Sequence, residues 1–537
     1  MFYRRFPTAV VLLVLLAQPV LAYPGKVIHS FGAPGKFCTG VAFDGQSLWV
    51  ADYKADMLFQ VDARTGRTLR AIPSPGFWPM GLAWDGEHLW NADKGRKKIF
   101  EVDPVNGTVL KTLDAPSENP EGLAWDGTTL WVSDSKSREI MRIDLSDGTA
   151  VKTLTAPAQA ANGLAFDGTY LWCSDRMTNE VYMIDPNSGE VLVILDAPGP
   201  YPHGLAWDGQ CLWAVDQQKD TLYRLVRWDG ELYRLKDTRK ARVTFTHEVK
   251  SFGSGKIGTL QVCLAVPENM PQQKIESLSF SPSTCTMHKD RWQQEVAVFQ
   301  YEAVPAGMTV ESRFEANVTI SDIRYFIFPD RCGTLADIPA EIRDRYTANG
   351  TKYMTDDPYI RKIARELAGN EKSPYAIARK MYDYVRNRLE YKLEGGWNAA
   401  PVVLKRGTGS CSEYSFCFIA LCRAAGVPAR YVGSVVVRGD DASLDDTFHR
   451  WPEVYLPNYG WVTMDAQGGD KPLPRDRAMH IGNLSNRFLI TTQGGGDSEY
   501  LGWYYDCYET YTCDPQLEVR IEAFAEWEPL EEKEEPQ

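Results

Sequence analysis

From Gly40 onward, short alternations of apolar and polar residues recur with a period of 41 residues. The repeat glycine stands at 40, 81, 122, 163 and 204, and the tryptophan at 49, 90, 131, 172 and 213. An aspartate recurs at 52, 93, 134, 175 and 216. Each unit reads G-(L/V)-A-(W/F)-D-G-x-x-L-W, in which Asp-Gly marks a tight hairpin between two short strands. A third strand is expected at Met57–Val61, Ile99–Val102, Ile140–Ile143, Val181–Ile184 and Leu222–Leu225. A turn glycine at 66, 107, 148, 189 and 230 then leads into a fourth. Four short strands per repeat predict β-propeller blades over 23–238. Five blades are expected; six, with Arg234–Val249 contributing, is the alternative. Lys26–Phe31 aligns with the fourth strand of later units and is a candidate to close the ring on the last blade.

The residues before each repeat glycine vary most: Phe37–Thr39, Trp78–Met80, Asn119–Glu121, Ala160–Asn162 and Tyr201–His203. Loop variation on a fixed frame makes a binding surface, so these are expected to form a partner-binding face near the axis. The aspartate row reads as strand-end carboxylates satisfying backbone N–H groups, because its spacing follows the blade rather than a metal shell. His29, His88 and His203 fall at non-equivalent repeat positions and read as structural. The repeat is similar to NHL and streptogramin-lyase-type propellers.

Beyond the repeats the pattern changes. Arg242–Thr246, Thr259–Val266, Glu295–Tyr301 and Val310–Ile320 alternate as strands of an antiparallel β-sandwich, expected over 239–330. Helices are predicted over Asp357–Leu367, opened by Asp356-Asp-Pro, and over Pro374–Leu389. Gly395–Gly409 is a loop carrying Trp397, which reads equally as a cleft-lining and as a packing aromatic. Gly494–Gly496 is read as a mobile loop, and the acidic 526–537 as a disordered tail.

The chemistry gathers in Gly407–Arg430. Ser410 and Glu413 form a capping box that places Cys411 at the first helical position. There the unpaired N–H groups and the helix dipole favour a thiolate. Phe418, Leu421, Cys422 and Ala425 continue that face, and Gly426 with Pro428 stops the helix. The strand His449–Leu456 and the strand Trp461–Asp465 follow across the turn Pro457–Gly460. Cysteine on a helix start, then histidine and aspartate on consecutive strands, is the nucleophile–base–orienter order of acyl transfer. An even register, Tyr455 opposite Trp461, puts His449 and Asp465 on one face, with a bulge expected at Pro452.

The combination over roughly Tyr346–Gln467 resembles the transglutaminase-like superfamily, whose papain-like core carries a GxC, HxWxEVYL, GWV and D pattern. Pro452 inside the histidine strand and Ala466 after the aspartate depart from that pattern. The resemblance implies an α+β catalytic domain, expected over 331–525, with Cys411, His449 and Asp465 as its triad. It also implies thiol chemistry on a protein or peptide substrate, with no cofactor or metal. Hydrolysis is favoured over amine transfer. The rival is a non-catalytic adhesion or scaffold protein whose propeller binds a partner.

The totals refine this. A chain of 537 residues implies about three domains. A net charge of −13 argues against nucleic acid or an anionic membrane as partner. Two arginines within Met1–Thr8 and the apolar run Ala9–Leu21 read as a secretory leader. Cleavage is expected after Ala22, with an uncleaved anchor as the alternative. A secreted or periplasmic protein without a membrane span follows. Eleven cysteines in such a chain suggest some disulfides, Cys507–Cys513 and Cys263–Cys285 being the expected pairs.

Overall fold

The computed structural model describes residues 23–393, 396–439 and 442–530. The expected leader, 1–22, and positions 531–537 of the expected tail lie outside the described residues.

The repeats form five four-stranded antiparallel sheets. The first is built from Cys38–Phe43, Ser47–Asp52, Met57–Asp62 and Thr68–Pro73. The fifth takes its outer strand from the N-terminal segment: Val27–Gly32 pairs with Thr221–Val226, Phe31 opposite Leu222. The six-blade alternative fails because the strand Tyr233–Gly253 leaves the ring to pair with Thr309–Tyr325 and Leu517–Pro529.

Each repeated residue has a physical task. The indole N–H of Trp49 donates to Asp44 at 3.0 Å, and that of Trp172 to Asp167 at 2.9 Å, which locks each hairpin to the strand after it. The aspartate row takes backbone N–H groups, as Asp52 does from Phe37 at 3.1 Å and Lys54 at 2.9 Å. The repeat glycines interlock at the axis. A Cβ on Gly40 would strike the Met80 carbonyl, and one on Gly204 would strike that of Thr39, so the ring of contacts closes after five units.

The sandwich holds one sheet ordered Gln273–Ser281, Thr309–Tyr325, Tyr233–Gly253, Leu517–Pro529 and Ser443–Asp445. The other is ordered Thr286–Lys289, Glu295–Pro305, Lys256–Ala265 and Cys507–Cys513. Phe245, Val262, Phe299, Phe314 and Trp527 fill the space between. Three expectations are corrected here. The C-terminal strands return to the sandwich, so it is not confined to 239–330 and the catalytic unit does not run to 525. Glu526–Pro529 belong to a strand in which Trp527 is 1% exposed, so the tail does not begin at 526. All eleven cysteines are unbridged. Cys507 and Cys513 sit at opposite ends of one strand, about 20 Å apart at ~3.3 Å per residue, far beyond bridging distance. Cys263 and Cys285 pack into different apolar clusters.

The remaining unit packs helices Pro358–Ala368, Pro374–Arg388 and Cys411–Ala424 against a sheet. That sheet is ordered Gly460–Thr463, His449–Leu456, Ala429–Val436 and Phe488–Gly494. Asp357 and Ser373 cap the first two helices, their side chains accepting N–H groups of Tyr359 and Ala376. A short helix, Pro474–Ala478, docks on blade four. Arg475 pairs with Glu180 at 2.9 Å and Arg477 with Glu190 at 2.6 Å, while Ala478 and Met479 pack on Leu154 and Ile194.

Candidate active site

Cys411 begins its helix, with Ser410 as an extended N-cap at φ −79°. Glu413 Oε2 accepts the Ser410 N–H at 3.3 Å and pairs with Arg406 at 2.6 Å; its Oε1 accepts the Asn398 N–H at 2.9 Å. The fully buried carboxylate is thereby satisfied, and the first turn is rigid where the thiol sits.

Tyr455 stands opposite Trp461 and Glu453 opposite Thr463, the even register, with no register break across Pro452. The expected bulge is therefore absent. Pro452 offers its carbonyl to the Met464 N–H at 3.0 Å, a bond that does not need the N–H proline lacks. His449 Nε2 lies 2.9 Å from Asp465 Oδ2. Asp465 Oδ1 accepts the N–H groups of Gln467 at 3.1 Å and Gly468 at 3.0 Å, and its own N–H donates to the His480 carbonyl at 2.9 Å. His449 also bears on the Cys411 thiol, each drawing the other toward its charged form. With Nε2 engaged by the carboxylate, Nδ1 is the nitrogen left for sulfur.

The electrostatics follow from these contacts. Burial pushes the Cys411 thiol up, yet the His449 hydrogen bond and charge, then the Arg450 backbone N–H and guanidinium, bring it below the ordinary 9.0. Cys417 and Cys422 on the same helix have only burial as their main influence and lie well above it. Burial lowers His449, but Asp465 and then Cys411 raise it to about 10. Asp465 is raised by burial and lowered further by His449, His480 and the Gly468 N–H, ending below its usual value. The arrangement favours a thiolate–imidazolium pair.

A cavity of about 550 Å³ opens on the His449–Asp465 side, between the core and the sandwich. Its walls include Trp451 and Phe488 of the core, Ile323 and Arg324 of the sandwich, Arg234 beyond the last blade, and Arg475. Trp451 and Phe488 flank the His449 ring at centroid distances of 5.6 and 5.9 Å.

Other expected residues fall elsewhere. Trp397 is a packing residue, its ring 4.7 Å from that of Tyr504 and 4.9 Å from the Arg450 guanidinium. Gly494–Gly496 is not a free loop: Gly495 lies against Trp292 and Gly496 against Trp503, where a Cβ would collide with either indole. His88 pairs with Glu101 at 3.0 Å, and His29 Nε2 lies 2.9 Å from the Arg64 carbonyl. His203 is buried at the propeller axis beside the repeat glycines. Of the variable propeller residues, Thr39, Met80, Glu121, Asn162 and His203 are buried, while Phe37 and Trp78 are exposed on either side of Tyr53. Sequence reasoning missed Arg450, although its even position in the His449 strand assigns it to the helix-covered face.

These features agree with comparison to known proteins. Residues 361–466 match the transglutaminase-like superfamily. They form a transglutaminase-like domain. The chain is 29% identical over 133 residues to the peptide-N(4)-(N-acetyl-beta-glucosaminyl)asparagine amidase of Rattus norvegicus, a match covering 24% of this chain and 18% of that one. It thus spans under a fifth of that relative. A solved structure from Cytophaga hutchinsonii, provisionally designated a cysteine protease, aligns over 54% of this chain and 93% of its own, with 16% identity and a TM-score of 0.39. Virginiamycin B lyase from Staphylococcus aureus aligns over 37% of this chain and 98% of its own, with 14% identity and a TM-score of 0.26. The transglutaminase-like superfamily includes cysteine hydrolases and acyltransferases. The domain holds Cys411, His449 and Asp465 within its matched span.

Proposed function

We propose that the protein is an exported thiol enzyme that cleaves a carboxamide or peptide bond through Cys411, His449 and Asp465. The observation carrying this reading is the Asp465 carboxylate 2.9 Å from the His449 ring, which together with a buried thiol held below its ordinary pKa supports a relay from carboxylate to sulfur. The thiolate attacks the carbonyl carbon. The Cys411 backbone N–H, without an intrahelical acceptor at the helix start, faces the developing oxyanion. Imidazolium gives its proton to the leaving nitrogen as the C–N bond breaks, leaving a thioester. Water, deprotonated by His449, then releases the acid and restores the thiol. Water rather than an amine is the preferred acceptor, since it needs no dedicated site. The amidase among the relatives makes an asparagine side-chain amide one substrate to try. The propeller's exposed Phe37–Tyr53–Trp78 face is assigned to partner or substrate binding.

The test is reaction of the full chain with an electrophilic amide mimic and with iodoacetamide. Cys411 should be labelled at mildly acidic pH before any other cysteine, and Cys411→Ala should trap its substrate in a pull-down. Labelling of Cys411 that follows an ordinary thiol titration near pH 8–9 sinks the reading.

A further inference from the structure

We propose that Arg450 is a positioning residue for the reacting thiol, a permanent buried cation that holds Cys411 in its thiolate form. This rests on the acyl-transfer reading of the same site.

Strand alternation turns Arg450 away from His449 and under the Cys411 helix, where it is 0% exposed. Its guanidinium lies 4.2 Å from the Tyr505 ring centroid, 4.5 Å from Tyr431, 4.9 Å from Trp397 and 5.3 Å from Phe416. Nη2 donates to the Trp503 carbonyl, while Nε and Nη1 have no hydrogen-bond partner. Among the described residues no carboxylate lies within ion-pair distance of it. Burying an unpaired guanidinium is costly, and aromatic faces offset only part of that cost. The cage is built to hold it nonetheless. Tyr505 is pressed onto the strand at Gly433, where a Cβ would meet its ring, and Trp503 and Tyr505 arrive from a segment 53–55 residues later in the chain.

The cage lies against the first turn of the Cys411 helix: Ser415 Oγ is 2.9 Å from the Cys411 carbonyl oxygen and 3.4 Å from that of Arg450, and the guanidinium favours the thiolate there. The rival anion is Asp506, which takes the Thr491 hydroxyl at 2.5 Å and leaves Oδ2 unpartnered. Burial pushes Asp506 up to about 7, so it is only a partial counter-ion at neutral pH. The other groups facing Cys411 do not supply positive charge besides His449: Tyr391 and Tyr505 are both raised by burial, and Glu413 is tied to Arg406. Asp445, which also bears on Asp506, is held by Arg438 at 3.0 Å.

The alternative is that Arg450 merely staples the aromatic cluster. Arg450→Met keeps an apolar stem among the rings without the charge, and Arg450→Lys keeps the charge without the planar fork. The measurement is the iodoacetamide labelling rate of Cys411 in the full chain between pH 5 and 9, alongside the melting temperature. Arg450→Met should move the labelling midpoint up by about one pH unit, a roughly tenfold slower reaction at pH 6. Arg450→Lys should stay within about threefold of wild type. Where Arg450→Met does not fold, Arg450→Gln, still able to donate to the Trp503 carbonyl, carries the same expectation. A folded neutral variant with the wild-type midpoint overturns the inference. A wild-type midpoint near that of an ordinary thiol overturns instead the acyl-transfer reading beneath it.

Discussion

Asp465→Asn changes one atom of the relay and has a calculable effect. Asp465 Oδ1 takes two backbone N–H groups at 3.0 and 3.1 Å, while Oδ2 faces His449 Nε2 at 2.9 Å. In the variant the amide oxygen keeps the two backbone donors, because turning the amide over would set its NH₂ against them. The NH₂ then donates to Nε2, and the ring proton moves to Nδ1, the nitrogen facing sulfur. Such a ring cannot accept the thiol proton. The lost charge acts in the same direction. His449 stands at about 10 against an ordinary 6.5. At 1.36 kcal/mol per pH unit, that difference of about 3.5 is worth roughly 5 kcal/mol, an order-of-magnitude figure. Asp465 leads the groups that raise it, so removing its charge lowers His449 as well as fixing the wrong tautomer, and a loss of roughly 100-fold or more in rate is expected. The assay is single-turnover acylation by an amide-mimic probe against pH, with melting temperature as control. A folded Asp465→Asn protein within threefold of wild type at pH 7 refutes the relay.

The raised His449 also predicts a pH dependence of stability. Its contribution is complete below about pH 6.5 and is lost as pH rises through about 10, so melting temperatures should fall over that window and fall less in His449→Gln. Glu413→Gln should destabilise by about 1–3 kcal/mol in urea unfolding, because it weakens the satisfied buried network at the helix start; a change within about 0.3 kcal/mol, the error of such a measurement, would count against that account. Deleting one repeat, residues 81–121, should abolish cooperative folding, since the glycine contacts close only after five units; a soluble variant with a sharp melt argues against an interlocked ring.

What was legible in the sequence was local or periodic. The propeller could be read because the repeat glycine, tryptophan and aspartate each do one job five times. The even register could be read because only it sets His449 and Asp465 on one face; the hairpin closes accordingly, Leu456 opposite Gly460 around Pro457–Tyr459. The return of the C-terminal strands to the sandwich was not legible, because alternation announces a strand but not its partner. Phe524–Pro529 shows how composition misled. Glu526 and Glu528 alternate with buried Ala525 and Trp527, a half-buried strand read as a charged tail. The Arg450 cage needed Trp503 and Tyr505 from a loop with no pattern of its own, and only tertiary packing brings them there.

The corrected topology bears on how the site is held. The core lies in the chain between two sandwich strands, Thr309–Tyr325 and Cys507–Cys513, so both of its ends enter the same rigid body. A third attachment is the helix Pro474–Ala478 on blade four. The segment between Asp465 and His480 runs from the orienting carboxylate to that attachment and returns to accept the Asp465 N–H. Blade four therefore braces the loop behind the carboxylate, a mechanical task for the propeller separate from the recognition proposed above. These attachments, with the core segments Ser443–Asp445 and Asn483–Leu484 paired into the sandwich sheet, leave little freedom for a hinge between core and sandwich. Access to the cavity is then governed by side chains along its rim, such as Arg234, Arg324 and Arg475, each already held by Asp196 or Glu180 of the propeller.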